Sequence, residues 1–222
     1  MTRYVLVPGA CHGGWWYDPI TTGLRRAGHA ADAVTLSGLD PSGPAAPSAN
    51  LDTHIEEVTS ILATHEEAVV LVGHSYGGAV ITGAADRLPA QVHTLVYLDA
   101  FVPEDGDSCA RMTNRQQRDW YLSGSAATGL GLAPLPFFDD RARPHPIGSL
   151  LQAVRLTGAH KTIARRHYVL AAAPSWLPLS PFGAVAEPLR ADPNWTVTDL
   201  DAPHNLLANG GAELLELLLA HA

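Results

Sequence analysis

The segment Val69-Val70-Leu71-Val72, running straight into Gly73-His74-Ser75-Tyr76-Gly77-Gly78, constrains this chain more than any other. Four apolar residues in a row leave no polar face, the pattern of a strand covered on both sides as in a parallel sheet. Helix-period residues follow to about Leu88, where Pro89 stops them. The spacing G-x-S-x-G between a strand and a helix puts a serine at the apex of a sharp turn. A strained apex is tolerable only where neighbouring chain can come close. Gly73 and Gly77, two residues to either side of Ser75, carry no Cβ to obstruct that approach. The hydroxyl then projects clear of the sheet edge, and the helix start near Tyr76 offers free N–H groups to a developing oxyanion. No Gly-Lys-Ser/Thr follows, which excludes a Walker A loop, and the glycines lack the G-x-G-x-x-G spacing of a dinucleotide turn.

The rest of the chain alternates strand-length apolar runs with helical stretches. Tyr4–Val7 reads as a buried strand stopped by Pro8-Gly9, a helix follows from about Asp18 to Arg26 with Gly28 as its cap, and Ala33–Leu36 reads as a weaker strand. The Pro/Gly/Ser-dense stretch 37–50 is loop. Thr53-x-x-Glu56 has capping-box spacing and opens a helix through Ala63. Further strands are expected at Thr94–Leu98, Tyr168–Leu170 and Trp195–Thr198, with helices at Phe182–Ala191 and from about Ala212 to Ala220. Residues from about 101 to 161 break the alternation, with helices expected near Thr113–Leu122 and Ile147–Leu156. The fold class expected is α/β: one domain over residues 1–222, with a roughly six-stranded, mostly parallel sheet, helices on both faces and a small cap inserted at about 101–161.

Composition narrows the partners. With 14 basic against 22 acidic side chains, a formal charge of −8 and no basic run, the chain is a poor match for nucleic acid. No apolar stretch approaches the roughly 20 residues that span a bilayer. The N-terminal residues lack a signal peptide's pattern, so a cytoplasmic location is expected. Two cysteines, Cys11 and Cys109, are too few for a disulfide scaffold or a four-thiolate metal site. Neither cofactor nor metal is expected. The expected partner is a small, apolar substrate molecule, and a homodimer stays open as the assembly.

A serine nucleophile needs a base, an orienting acid and an oxyanion hole. Of the 11 histidines, His204 stands alone on a loop between the last expected strand and the terminal helix, the base's place in the order serine, acid, histidine. The acid's usual position, around Ala171–Ser175, holds no carboxylate; Asp99, ending the strand after the elbow helix, is the best alternative, ahead of Asp201, Asp199 and Glu187. The glycine-rich first loop, Val7 to Trp16, supplies the rest of the hole, with the amides of Ala10 and Tyr76 as donors. Cys11 reads as packed rather than nucleophilic. Gly9, Cys11, His12, Trp120 and Trp176 are the candidate pocket residues, and Trp15, Trp16, Tyr121, Phe137 and Phe138 are further aromatics able to line it. His145, in Pro144-His145-Pro146, reads as solvated loop, with a place near the pocket as the alternative.

These residues resemble the α/β-hydrolase superfamily, in its branch of small methylesterases, hydroxynitrile lyases and bacterial pyrethroid-hydrolase-like esterases. The resemblance rests on Val5–Trp15, Leu51–Val58, Leu71–Gly78 and Leu95–Pro103, and more weakly on 147–158 and 182–204. It implies a sheet that begins at the superfamily's third strand, a helical cap inserted after the sixth, and a carboxylesterase-like serine hydrolase acting on an ester, lactone or thioester. Cyanohydrin cleavage is disfavoured: the places of that chemistry's threonine and lysine look like Gly9 and Asn205. A cofactor-free cyclase, lyase or dehydratase, or a non-catalytic ligand receptor, remain the alternatives.

Overall fold

The computed structural model describes residues 1–221. Strand and helix alternate through β1 (Arg3–Val7), α1 (Asp18–Arg26), β2 (Ala30–Ala33), α2 (Leu51–Ala63), β3 (Val69–His74), α3 (Gly77–Arg87) and β4 (Val92–Leu98). The inserted stretch then holds α4 (Cys109–Met112), α5 (Arg115–Ser125), a two-stranded antiparallel ribbon of β5 (Gly131–Leu132) and β6 (His145–Pro146), and α6 (Ile147–Leu151). Alternation resumes with β7 (Arg165–Ala171), α7 (Phe182–Ala191), β8 (Trp195–Leu200) and α8 (Leu206–Leu219). The main sheet has six strands in the order β2-β1-β3-β4-β7-β8, every neighbouring pair parallel.

Period-two side chains divide the core between the two faces. Val5, Val7, Leu71 and Tyr97 pack with α2, α3 and α7, including Ile55, Val58, Val80 and Phe182. Tyr4, Leu6, Val70, Val72 and Leu98 pack with α1 and α8, including Ile20, Leu24, Leu214 and Leu218. β3 lies between β1 and β4 and is buried along its whole length, so the turn that follows it sits on a firm platform.

β3, β4, β7 and β8 each run at least two residues longer than the sequence reading, and four further boundaries shift. β2 runs from Ala30 to Ala33, not Ala33 to Leu36; an edge strand needs little apolar weight, and Val34 and Leu36 are buried because α2 covers them. The α2 cap is Asn50, whose side chain accepts from the Thr53 amide at 3.0 Å while Thr53 Oγ1 accepts from the Asn50 amide at 3.3 Å. Glu56 instead meets Arg87 at 2.8 Å. α6 stops at Leu151, because Gln152 turns to exchange two 3.0 Å hydrogen bonds with Asp52 at the start of α2. α8 begins at Leu206 and runs through Gly210-Gly211; a Cβ on Gly210 would stand 2.9 Å from Leu200, so glycine there admits close packing on β8. No helix among the described residues is long and apolar enough to cross a membrane.

Candidate active site

Three non-glycine residues among the described residues have positive φ, and all three lie beyond the carboxyl ends of central strands: Cys11 (+69°), Ser75 (+53°) and Asp99 (+43°). Strain of this kind persists only where surroundings over-determine it. At Ser75 the surroundings are backbone. Its amide donates to Leu98 O at 3.2 Å, and its carbonyl accepts from Gly78 N at 3.1 Å and Phe101 N at 3.2 Å. A Cβ on Gly73 would lie 2.7 Å from Gly77 O, and one on Gly77 would lie 2.4 Å from Val7 O. Both flanking glycines are therefore required by close backbone, and so is Gly78, where a Cβ would stand 2.2 Å from Phe101 O.

The loop after β8 brings His204 to this turn. His204 Nε2 is 3.1 Å from Ser75 Oγ, and His204 Nδ1 is 2.6 Å from Asp99 Oδ2. The imidazole stacks on Trp176 (5.0 Å, 28°) and Phe182 (5.4 Å, 13°), which set its plane. Its backbone carbonyl accepts from His74 Nε2 at 2.9 Å. Ser75 is 7% exposed while the His204 side chain is 27% exposed, so the site opens on the imidazole side.

Asp99 is fully buried and satisfied by donors from the stretch around Ala171–Ser175, which carries no carboxylate of its own. Ala171 N donates to Oδ1 at 3.2 Å, and Trp176 Nε1 donates to Oδ2 at 3.0 Å. The end of β7 and the loop after it thus supply hydrogen-bond donors to an acid at the end of β4. Trp176, expected at the pocket, touches both Asp99 and His204. An indole N–H near an empty acid position was the available signal, but only the packed loop joins the two.

The other candidates fall as follows. Gly9 lies against the turn, where a Cβ would be 2.9 Å from His74 Nδ1 and 3.0 Å from Ser75 Cβ. Among the described residues neither the Ala10 nor the Tyr76 amide meets a protein acceptor. Cys11 is buried against the ribbon, its thiol 3.8 Å from Leu132 O and its pKa pushed up to about 12 by burial, which is no nucleophile. His12 is half-buried among Trp15 (5.3 Å) and Phe138 (4.8 Å), and burial lowers its pKa. Trp120, half-buried, packs beside Phe138 at 6.2 Å, whereas Phe137 is 78% exposed and Arg141 covers Trp15 at 4.2 Å. Tyr121 is buried, and Trp16 stacks on His74 at 4.3 Å. His145 corrects its reading: it is fully buried, because Cys11 and Ser149 hold both ring nitrogens. No group of three or more His, Cys, Asp or Glu residues among those described has the geometry of a metal site.

A parallel sheet carrying a strained serine on a strand–helix turn, faced by a downstream histidine, defines an enzyme of the α/β-hydrolase, esterase-like class. The chain belongs to that family: the model of the alpha/beta hydrolase family matches residues 4–220. It is similar to a carbendazim hydrolyzing esterase of Nocardioides sp. (strain SG-4G), 33% identical over 99% of both chains. It is also similar to Methylesterase 1 of Arabidopsis thaliana, 35% identical over 61% of this chain and 57% of that one. Among solved structures, an extracellular α/β-hydrolase from a Paenibacillus species superimposes with a TM-score of 0.83 over 99% of this chain and 98% of its own, at 19% identity.

Proposed function

We propose that the protein is a cofactor-independent serine hydrolase that cleaves a small ester, lactone or thioester through an acyl-enzyme. The observation that carries this reading is the unbroken chain Ser75 Oγ, His204, Asp99, with contacts of 3.1 and 2.6 Å. Ser75 Oγ attacks the substrate carbonyl carbon and its proton passes to His204 Nε2. The Ala10 and Tyr76 amides, which meet no protein acceptor among the described residues, receive the oxyanion. The tetrahedral species collapses as Nε2 returns the proton to the leaving alcohol or thiol. Water then attacks the acyl group with His204 again as base. Asp99 holds the imidazole with its proton on Nδ1 and balances the imidazolium that forms. Full-length similarity to a carbendazim hydrolyzing esterase, and partial similarity to a methylesterase, put carbendazim and methyl esters first among substrates to try. Ser75→Ala should abolish turnover and fluorophosphonate labelling while leaving the fold intact; hydrolysis by that variant at the wild-type rate would remove the proposal.

A further inference from the structure

One peptide unit of the first loop is held at both ends by histidines. The Ala10 carbonyl lies 2.8 Å from His12 Nδ1, and the amide of the same peptide, Cys11 N–H, lies 3.3 Å from His145 Nδ1. A carbonyl only accepts, so His12 carries its proton on Nδ1. An amide N–H only donates, so His145 Nδ1 is a bare lone pair. The proton of His145 is therefore on Nε2, which donates to Ser149 Oγ at 2.8 Å, and the Ser149 hydroxyl donates in turn to Pro146 O at 2.8 Å. Every polar atom of the His145 ring is committed. His145 and Ser149 are fully buried. Burial and the neighbouring His54 and His12 push the pKa of His145 well below its ordinary value, which keeps the lone pair free.

We infer that His12 and His145 are positioning residues that clamp the Ala10–Cys11 peptide and so aim the Ala10 amide at the oxyanion. This rests on the serine-hydrolase reading and deepens it. Ala10 joins the clamped peptide to the preceding one, whose N–H is the proposed donor, so fixing the first plane restricts the second. The restriction is needed because Gly9 and Gly13 leave the loop permissive and Cys11 is held at φ +69°. The clamp also ties the inserted segment to catalysis: His145 comes from β6, and Arg143 N donates to Cys11 O at 2.9 Å. The second donor is anchored beside it. The Tyr76 ring packs nearly perpendicular to His145 at 4.5 Å, and its hydroxyl donates to His54 Nδ1 at 2.7 Å, whose Nε2 donates to Ser37 O at 3.1 Å.

The test compares His145→Phe, which keeps a ring but no acceptor, with His145→Asn, whose amide oxygen restores one near the place of Nδ1. Substrates are p-nitrophenyl acetate and its thiono analogue, in which sulfur replaces the carbonyl oxygen that the hole receives. Losing an oxyanion donor costs on the order of a hundredfold or more in kcat, so a misaimed one should cost about tenfold to a hundredfold. His145→Phe should lower kcat by that factor with KM within about twofold, and should shrink the preference for oxygen over sulfur; His145→Asn should recover most of both. Should His145→Phe fail to fold, His12→Leu, at a half-buried position, probes the same peptide from its carbonyl end with the same expected readouts. A folded His145→Phe or His12→Leu with the wild-type kcat and oxygen preference would overturn the clamp. So would a parallel change in KM and kcat that Asn does not rescue. Turnover surviving Ser75→Ala sinks the serine reading instead, so the two failures are distinguishable.

Discussion

Replacing Asp99 by asparagine removes one charge and reverses one hydrogen-bonding atom at a site where three donors converge. Ala171 N–H points at Oδ1, while Trp176 Nε1–H and His204 Nδ1–H share Oδ2. An amide has one accepting oxygen, so it cannot satisfy both ends. With its oxygen at the Oδ2 place it serves Trp176 and His204 and leaves the buried Ala171 N–H facing an NH2 group. With its oxygen at the Oδ1 place it sets the NH2 against the indole N–H and forces His204 to accept at Nδ1, which moves the imidazole proton to Nε2 and blocks it from receiving the serine's. The first arrangement satisfies more donors and keeps the working tautomer. The loss is then chiefly the charge that balances the imidazolium. Two unit charges about 4 Å apart at an effective dielectric of about 20 attract by about 4 kcal/mol. At about 1.4 kcal/mol per decade that is roughly a thousandfold in kcat. The orphaned amide should also lower stability by about 1–3 kcal/mol. Steady-state hydrolysis of p-nitrophenyl acetate at pH 8 measures the first figure and urea unfolding the second. A kcat within tenfold of wild type would refute Asp99 as the orienting acid.

Three further outcomes follow from the same geometry. Trp176→Phe keeps the ring beside His204 but deletes the donor to Asp99; a hydrogen bond to a charged group contributes about 1.5–3 kcal/mol to stability, so the urea midpoint should fall by the equivalent of that amount, and an unchanged midpoint would make the indole N–H a bystander. Gly78→Ala drives a Cβ to within 2.2 Å of Phe101 O, a rigid backbone neighbour, and should lower the urea midpoint by the equivalent of about 1–3 kcal/mol or more; a wild-type midpoint would contradict the steric account of the turn. His54, His74 and His145 are buried with lowered pKa values, and burial with His221 nearby brings His167 down from 6.5 to about 4. Between those values the unfolded chain binds more protons than the folded one, so stability present above pH 6.5 is lost as pH falls toward 4. Tm should drop between pH 7.5 and pH 5, less so in His167→Gln, and a flat profile would contradict neutral buried imidazoles.

Much of the architecture was legible because local periodicity and strand burial agree along this chain. Val69–Val72, Thr94–Leu98 and Phe182–Ala191 can be read from the length and spacing of their apolar residues. The turn at Ser75 is legible for the same local reason: two glycines at fixed offsets between a strand and a helix meet a backbone requirement, not a distant partner. Boundaries set by long-range contacts were not legible. The end of α6 depends on Gln152 finding Asp52, and the glycine at 210 within α8 is accounted for only by its packing on Leu200.

The sequence by itself determined the parallel α/β sheet, the strained serine at its centre and the downstream loop that carries His204, since each is written in short-range patterns. Only the tertiary structure decided how the buried side chains divide their hydrogen bonds. It set Trp176 on Asp99 and His145 on the Cys11 amide, residues 77 and 134 positions apart in the chain. The physical reason is that a buried polar atom must find a partner wherever the packed chain offers one, and that choice exists only after the strands have assembled.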